Sequence, residues 1–84
     1  MDIKLIVYGH HYCPDARYMD AYLRQKGIDY EWRDIAAGNP GFQQELRLLA
    51  RGYLSVPTVV FPDGEVLVEP NPKDVVDRWA RIAK

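Results

Sequence analysis

The chain has 84 residues, of which 48% are hydrophobic, and 11 Lys and Arg stand against 12 Asp and Glu for a formal net charge of −1. Two domains could not each bury a core in this length, so we expect residues 1–84 to form a single domain. The lack of any block of like charge argues against a nucleic-acid partner. No apolar run approaches the roughly 20 residues that span a bilayer, and the N-terminal residues do not begin a secretory signal, so we expect a cytoplasmic protein without a membrane partner.

Cys13 is the only cysteine in the sequence, so no internal disulfide can support the fold. Free cysteines are often buried and inert, and that is the simplest alternative for Cys13. A buried cysteine would more typically lie within an apolar run, whereas Cys13 follows a polar turn and precedes a proline. The position therefore favours a reactive thiol that stays free in a reducing compartment.

The first elements predicted along the chain are a strand, a turn and a helix start. Residues Ile3 to Tyr8 form a nearly continuous apolar run rich in β-formers, as in a central strand that is covered on both faces. Residues 9–12 then form a turn. Pro14 suits the first position of a helix, because its missing N–H would have no partner there, and this places Cys13 at the N-cap.

This first helix is followed by a strand that runs parallel to the first one. The helix ends near Lys26, before Gly27, and its buried face carries Ala16, Met19 and Leu23. Alternation with polar residues then indicates a strand with one wet face, near the sheet edge, formed by Ile28, Tyr30 and Trp32. A strand, a helix and a strand form a βαβ unit, in which the two strands are parallel.

The second half predicts a helix, a hairpin and a last helix, which completes the order βαβαββα. After the loop of residues 38–41, helical spacing connects Phe42, Leu46, Leu49, Ala50 and Tyr53. Asp-Gly between residues 58–61 and 66–68 predicts an antiparallel hairpin. Asn71 caps the last helix, Pro72 takes its first position, and its buried stripe contains Val75, Val76, Trp79, Ala80, Ile82 and Ala83.

Two motifs in this order resemble the glutaredoxins, and among them the mycoredoxin-like and short redoxin branches. They are Cys13-Pro14-Asp15-Ala16 after the first strand and Ser55-Val56-Pro57-Thr58 before the hairpin. The likeness spans essentially the whole chain. It implies the α/β thioredoxin fold, a four-stranded mixed sheet flanked by three helices, and a thiol-disulfide oxidoreductase whose nucleophile is Cys13. It also implies a cis bond before Pro57 and pairing of the substrate backbone with Val56.

The chemistry of Cys13 can be considered without the family. Disulfide exchange needs a thiolate, and the unpaired N–H groups and positive dipole at a helix start lower the pKa of a cysteine there. Asp15 opposes this effect by repelling the thiolate, and it is partly offset by Arg17, His10 and His11. The resemblance assigns catalytic positions to Cys13, Pro14 and Ala16, the last in the resolving position, and substrate or thiol contacts to Tyr12, His10, Val56, Pro57 and Asn71.

Ala16 departs from the dithiol pattern, because a second cysteine would stand at this position. The chain must therefore work by a monothiol route, in which another free thiol releases the group bound to Cys13. Two interpretations remain open: Ala16 is native, or it replaces a cysteine, as is done to trap mixed disulfides.

The expected reductant is glutathione or another small thiol, with no bound cofactor and with a monomeric protein acting on disulfide-bearing or thiolated protein substrates. The glutaredoxins that this chain resembles usually carry, when they use glutathione, a Gly-Gly pair before the last helix. This chain has Val68-Glu69-Pro70-Asn71-Pro72 there instead. Glu69 would repel a carboxylate there, and Pro72 removes an N–H donor. Ribonucleotide reductase or a peroxidase remains open as a protein partner.

Three other functions compete with this one. A non-catalytic, protein-binding thioredoxin-fold domain is the main alternative, because the second cysteine is missing. The segment His10-His11-Tyr12-Cys13 lacks a second ligand cluster, so we expect no metal site. Iron–sulfur glutaredoxins carry C-G-F-S, which this chain does not.

Overall fold

The structure is a computed structural model that describes residues 4–37 and 39–82. Its elements in chain order are β1 Leu5–Gly9, α1 Pro14–Gln25, β2 Tyr30–Asp34, α2 Gly41–Leu49, β3 Thr58–Val60, β4 Val66–Val68 and α3 Pro72–Ile82. The predicted order βαβαββα is therefore confirmed. The strand start at Ile3, the loop position of Gly38 and the buried helix position of Ala83 lie outside the described residues.

The four strands form one mixed sheet in the order β2-β1-β3-β4. β1 is parallel to β2 and antiparallel to β3, and β3 is antiparallel to β4. The prediction of a four-stranded mixed sheet with three helices is confirmed, including the central place of β1 and the edge place of β2.

The two faces of the sheet bury separate apolar clusters, because successive side chains of a strand point to opposite faces. One cluster joins β1 and β3 to α1 and α3, and it consists of Leu5, Val7, Met19, Leu23, Val59, Phe61 and Val75. The other joins the sheet to α2 and consists of Tyr8, Ile35, Leu46 and Ala50. The sheet is thus covered by α1 and α3 on one face and by α2 on the other.

A polar cluster ties α2 to the sheet where Tyr8 reaches the edge of its apolar cluster. The Tyr8 hydroxyl donates to Oε1 of Glu45 at 2.7 Å and accepts from Nη1 of Arg33 at 2.9 Å. Burial and the hydrogen bond to Glu45 raise the pKa of Tyr8, so the phenol stays neutral.

Two element boundaries predicted for the first half are wrong. The second strand begins at Tyr30 rather than Ile28, because the N–H of Ile28 still donates to the carbonyl of Leu23 and closes the end of α1. Gly9, predicted to begin the turn, is the last residue of β1 and pairs with Asp34.

The second half also departs from the prediction. α2 ends at Leu49, and Tyr53 is 71% exposed rather than buried. Arg51 and Gly52 have φ values of 58° and 91°, which no helix allows, so the chain leaves the helix before Tyr53. Phe61 lies just past β3 but is only 2% exposed, and Ala80 is exposed although the helical spacing predicts it in the buried stripe of α3.

Gly9 is required by packing between β1, β2 and α1. A Cβ at Gly9 would lie 2.8 Å from Cη2 of Trp32 and 3.1 Å from Cβ of Ala16. We expect Gly9→Ala to lower the free energy of unfolding by about 1–3 kcal/mol, as overpacking of cores does. Urea denaturation measures this change. Gly41→Ala is the matched control, because its methyl would meet the side chain of Asn39 at 3.2 Å and not the core; equal losses would contradict the explanation.

Candidate active site at one edge of the sheet

The strand register brings three connecting segments to one end of the strands, which is called the site edge of the sheet below. Tyr8 pairs with Thr58, and Thr58 pairs with Val68. Because both pairings are antiparallel, the chain after β1, the chain before β3 and the chain after β4 lie at the same edge. These segments are residues 10–13, 55–57 and 69–71, which contain most of the candidate site residues.

Cys13 is the N-cap of α1, as predicted, with φ −93° and ψ 119°. Its N–H donates to the carbonyl of His10 at 3.3 Å, and its carbonyl accepts the N–H of Arg17 at 3.0 Å. The helix start has no side-chain cap hydrogen bond, and the thiol-bearing residue is half-buried. A helix N-terminus carries the positive end of the helix dipole, and Cys13 is the residue at this position in α1.

Pro14 and Ala16, which follow Cys13, differ in exposure. Pro14 is exposed at the first helical position. Ala16 is 0% exposed, and its Cβ lies beneath Gly9. The side chain at the resolving position therefore faces the core.

The loop before β3 is fixed by hydrogen bonds on both sides of Pro57. The Thr58 hydroxyl donates to the carbonyl of Ser55 at 2.7 Å, and the N–H of Glu69 donates to the carbonyl of Pro57 at 2.8 Å. The Val56–Pro57 peptide bond is cis, the isomer that the resemblance implies. Within the described part of the chain, no hydrogen bond uses the backbone of Val56. Its N–H and carbonyl are therefore available to an added strand.

A groove of about 370 Å³ connects the start of α1 with this loop and with the start of α3. It is lined by Asp15, Tyr18, Pro57, Glu69, Pro70, Asn71 and Pro72. Two predicted site residues, Pro57 and Asn71, thus meet in one cavity beside the motif that contains Cys13. The Asn71 side-chain oxygen accepts the N–H of Lys73 at 2.9 Å, so it caps α3 as predicted.

The loop before Cys13 presents one exposed and one partly buried ring. Tyr12 is 85% exposed, and its ring lies 6.1 Å from the ring of His10 in a tilted arrangement. The Nδ1 atom of His10 is buried without a hydrogen-bond partner among residues 4–37 and 39–82. Tyr12 is therefore the larger surface that this loop offers to a substrate.

His11 points toward β2, in an arrangement that the sequence did not reveal. Its ring stacks on Trp32 at 4.9 Å, and its nitrogens lie 3.5 Å from Asp34 and 3.9 Å from Asp20. Burial would raise the pKa of Asp34, but N–H groups of Ala37 and Ala36 and the charge of His11 lower it. Any positive charge on His11 is thus matched by these carboxylates.

Comparison with known proteins decides the family of this chain. The glutaredoxin family model matches residues 5–67. The chain belongs to the glutaredoxin family. An uncharacterised protein of Haemophilus influenzae is 30% identical over 76 residues, which cover 79% of this chain and 88% of that protein.

Solved structures agree with the fold. The glutaredoxin grx-1 from Archaeoglobus fulgidus superposes with a TM-score of 0.75 at 20% identity, covering 89% of this chain and 84% of that one. The thioredoxin-like protein BC3987 gives a TM-score of 0.75 at 27% identity, covering 88% and 97%. The glutaredoxin-like protein described here therefore has the thioredoxin fold, and thiol-redox chemistry is the function of its family in general terms.

Metal sites and membrane spans are absent from the described ranges 4–37 and 39–82. No group of three or more His, Cys, Asp and Glu side chains there could hold a metal ion. None of the helices formed by these residues is long and apolar enough to cross a membrane.

Glu69 occupies a backbone conformation that side chains disfavour. Its φ of 49° lies in the left-handed region, where a residue with a Cβ is strained and glycine is not. We expect Glu69→Gly to raise the free energy of unfolding by roughly 0.5–1 kcal/mol, measured by urea denaturation. Glu69→Gln keeps the strain and removes the charge, so it should change stability little; an equal gain in both variants would point to charge and not to the backbone.

Proposed function

We propose that this protein is a thiol-disulfide oxidoreductase that uses Cys13 as nucleophile on mixed disulfides by a monothiol route. The main support is the position of Cys13, a half-buried residue at the N-cap of α1, where no side-chain hydrogen bond occupies the first amides of the helix. That helix start borders the groove that contains Pro57. A nucleophile, a stabilising dipole and a binding groove therefore meet at one edge of the sheet.

The reaction runs in two exchanges. The Cys13 thiolate attacks the sulfur of a small thiol RS in a mixed disulfide, and the S–S bond breaks to release the thiolate of the protein substrate. A second molecule of RSH, as its thiolate, then attacks the new Cys13–S–S–R bond. It leaves as RSSR, so Cys13 is restored and one RSH has reduced the mixed disulfide to the free thiol of the protein substrate.

Val56 supplies the main-chain part of substrate binding in this proposal. Its unused N–H and carbonyl can pair with the extended backbone around the substrate cysteine, as an added strand. Tyr12, exposed beside Cys13, adds an aromatic contact on the other side. Main-chain pairing of this kind accepts many substrate sequences.

The small thiol that completes the cycle is glutathione or another low-molecular-weight thiol, and the protein acts as a cytoplasmic monomer without a bound cofactor. Disulfide-bearing or thiolated proteins are its substrates. None of these partners needs a second cysteine in this chain, because both exchanges take place at Cys13.

The test is the release of a peptide thiol from a peptide that carries a small thiol in mixed disulfide. The protein should accelerate this release several-fold over the uncatalysed exchange when free thiol is supplied. Cys13→Ser should abolish the acceleration, and mass spectrometry should find the small thiol on Cys13 of the original chain only. Asp29→Asn, which leaves Cys13 in place and lies at the opposite end of the sheet, is the control variant. If the Cys13→Ser variant kept the acceleration, or the original chain showed none with any small thiol, the proposal would be wrong.

The competing function is a non-catalytic, protein-binding domain, which Ala16 favours because it cannot resolve a disulfide. In that case Cys13→Ser would keep partner binding while the original chain showed no thiol chemistry. Loss of binding together with loss of thiol activity would exclude it.

A cysteine placed at position 16 tests whether the site has the geometry of a dithiol redoxin. Residues three apart at a helix start are close enough for a disulfide. We expect Ala16→Cys to form an internal disulfide with Cys13 on mild oxidation, seen as loss of both free thiols in the intact monomer. Ala21→Cys, on an exposed position of the same helix, should not do so. Free thiols in oxidised Ala16→Cys would show that the two positions cannot be joined.

A further inference from the structure

The groove beside Cys13 carries charge of one sign. Its two charged lining residues are Asp15, in the first turn of α1, and Glu69, in the link from β4 to α3. Both are exposed, and no Lys or Arg of the described chain lines the cavity with them. A group that enters this groove therefore meets two carboxylates from two separate elements.

The first three helical positions of α3, residues 72–74, which begin beside the groove, offer no unpaired backbone N–H to an anion. Pro72 has no N–H, and the N–H of Lys73 is donated to the Asn71 side chain at 2.9 Å. The N–H of Asp74 is donated to the Asn71 carbonyl at 3.0 Å. The amides that would otherwise hold a carboxylate at a helix N-terminus are thus absent or already paired.

The backbone holds Glu69 next to Pro57. The N–H of Glu69 donates to the Pro57 carbonyl at 2.8 Å. This hydrogen bond holds Glu69 against the loop before β3, which contacts the substrate in the proposed function. Asp15 is two residues from Cys13 on the other wall of the groove. Asp15 and Glu69 therefore line one groove beside the helix start that carries Cys13.

We propose that the groove selects disulfides whose small-thiol part carries a positive charge, such as an amine, over those that carry a carboxylate. This inference rests on the proposed function, because the selected step is attack of the Cys13 thiolate on RS–SR. That step forms Cys13–S–S–R and releases RS⁻, and the amine itself is unchanged. Asp15 and Glu69 are the specificity-determining residues, since their field lowers the energy of a nearby cation and raises that of an anion.

The experiment compares three symmetrical disulfides of similar size: cystamine, which is cationic, bis(2-hydroxyethyl) disulfide, which is neutral, and 3,3′-dithiodipropionate, which is anionic. The second-order rate constant for modification of Cys13 is measured by mass spectrometry at low salt. The rate for each charged disulfide is divided by that for the neutral one. Differences in leaving group then cancel when variants are compared with the original chain.

We expect Asp15→Asn and Glu69→Gln each to lower the cystamine ratio about threefold and to raise the dithiodipropionate ratio similarly, as for unit charges roughly 6 Å apart in water. Salt of about 0.5 M should shrink these changes, because it screens charges at this range. Asp29→Asn is the matched control, since Asp29 is exposed just before β2, at the opposite end of the sheet. It should leave both ratios unchanged.

The outcomes separate this inference from the proposed function. If Cys13 reacts with all three disulfides but the ratios of the Asp15 and Glu69 variants match those of Asp29→Asn, the selectivity is wrong and the oxidoreductase proposal stands. If Cys13 reacts with none of them, including the neutral one, the proposed function fails first.

Discussion

The antiparallel pairing of β1 with β3 is the constraint on which the site depends. Tyr8 opposite Thr58 fixes where the chain leaves β1 toward Cys13 and where it enters β3 from Pro57. Thr58 is fully buried, and its hydroxyl is satisfied by the Ser55 carbonyl, so a shift of register would bury an unpaired polar group and expose the core face. The same strand register therefore determines which residues are buried in the core and where the site segments lie.

The two helices that begin at this edge are built in opposite ways. α1 begins with a sulfur at the N-cap and no side-chain oxygen to occupy its first amides. α3 begins with Asn71, whose side chain takes the first available amide, and with Pro72, which offers none. The first amides of α1 are therefore free of a side-chain cap, while those of α3 are absent or paired within the chain. This contrast supports the proposal that the reactive group belongs to α1.

Local signals in the sequence predict much of this arrangement. Pro14, Pro72 and the Asp63-Gly64 turn each restrict their own backbone, so the residue types alone are enough to place the helix starts and the hairpin. What could not be predicted depends on non-local contacts or on unusual backbone angles. The stacking of His11 on Trp32 joins two elements, and the left-handed angles of Arg51 and Glu69 occur at residues whose type gives no sign of them. The sequence predicts that Glu69 repels a carboxylate before the last helix, but not that Asp15 lines the same groove, because this depends on a non-local contact.

The buried place of Ala16 makes the groove more important than it would be in a dithiol enzyme. A second cysteine would resolve the intermediate from inside, without any visitor to the site. With Ala16 packed beneath Gly9, the proposed cycle takes its resolving thiol from solvent, and this thiol attacks at the same sulfur that the substrate used. In the cycle proposed above both exchanges take place beside Asp15 and Glu69, so the proposed charge selectivity would act on the substrate and again on the reductant. A preference that is modest in each exchange therefore contributes to both steps of the cycle.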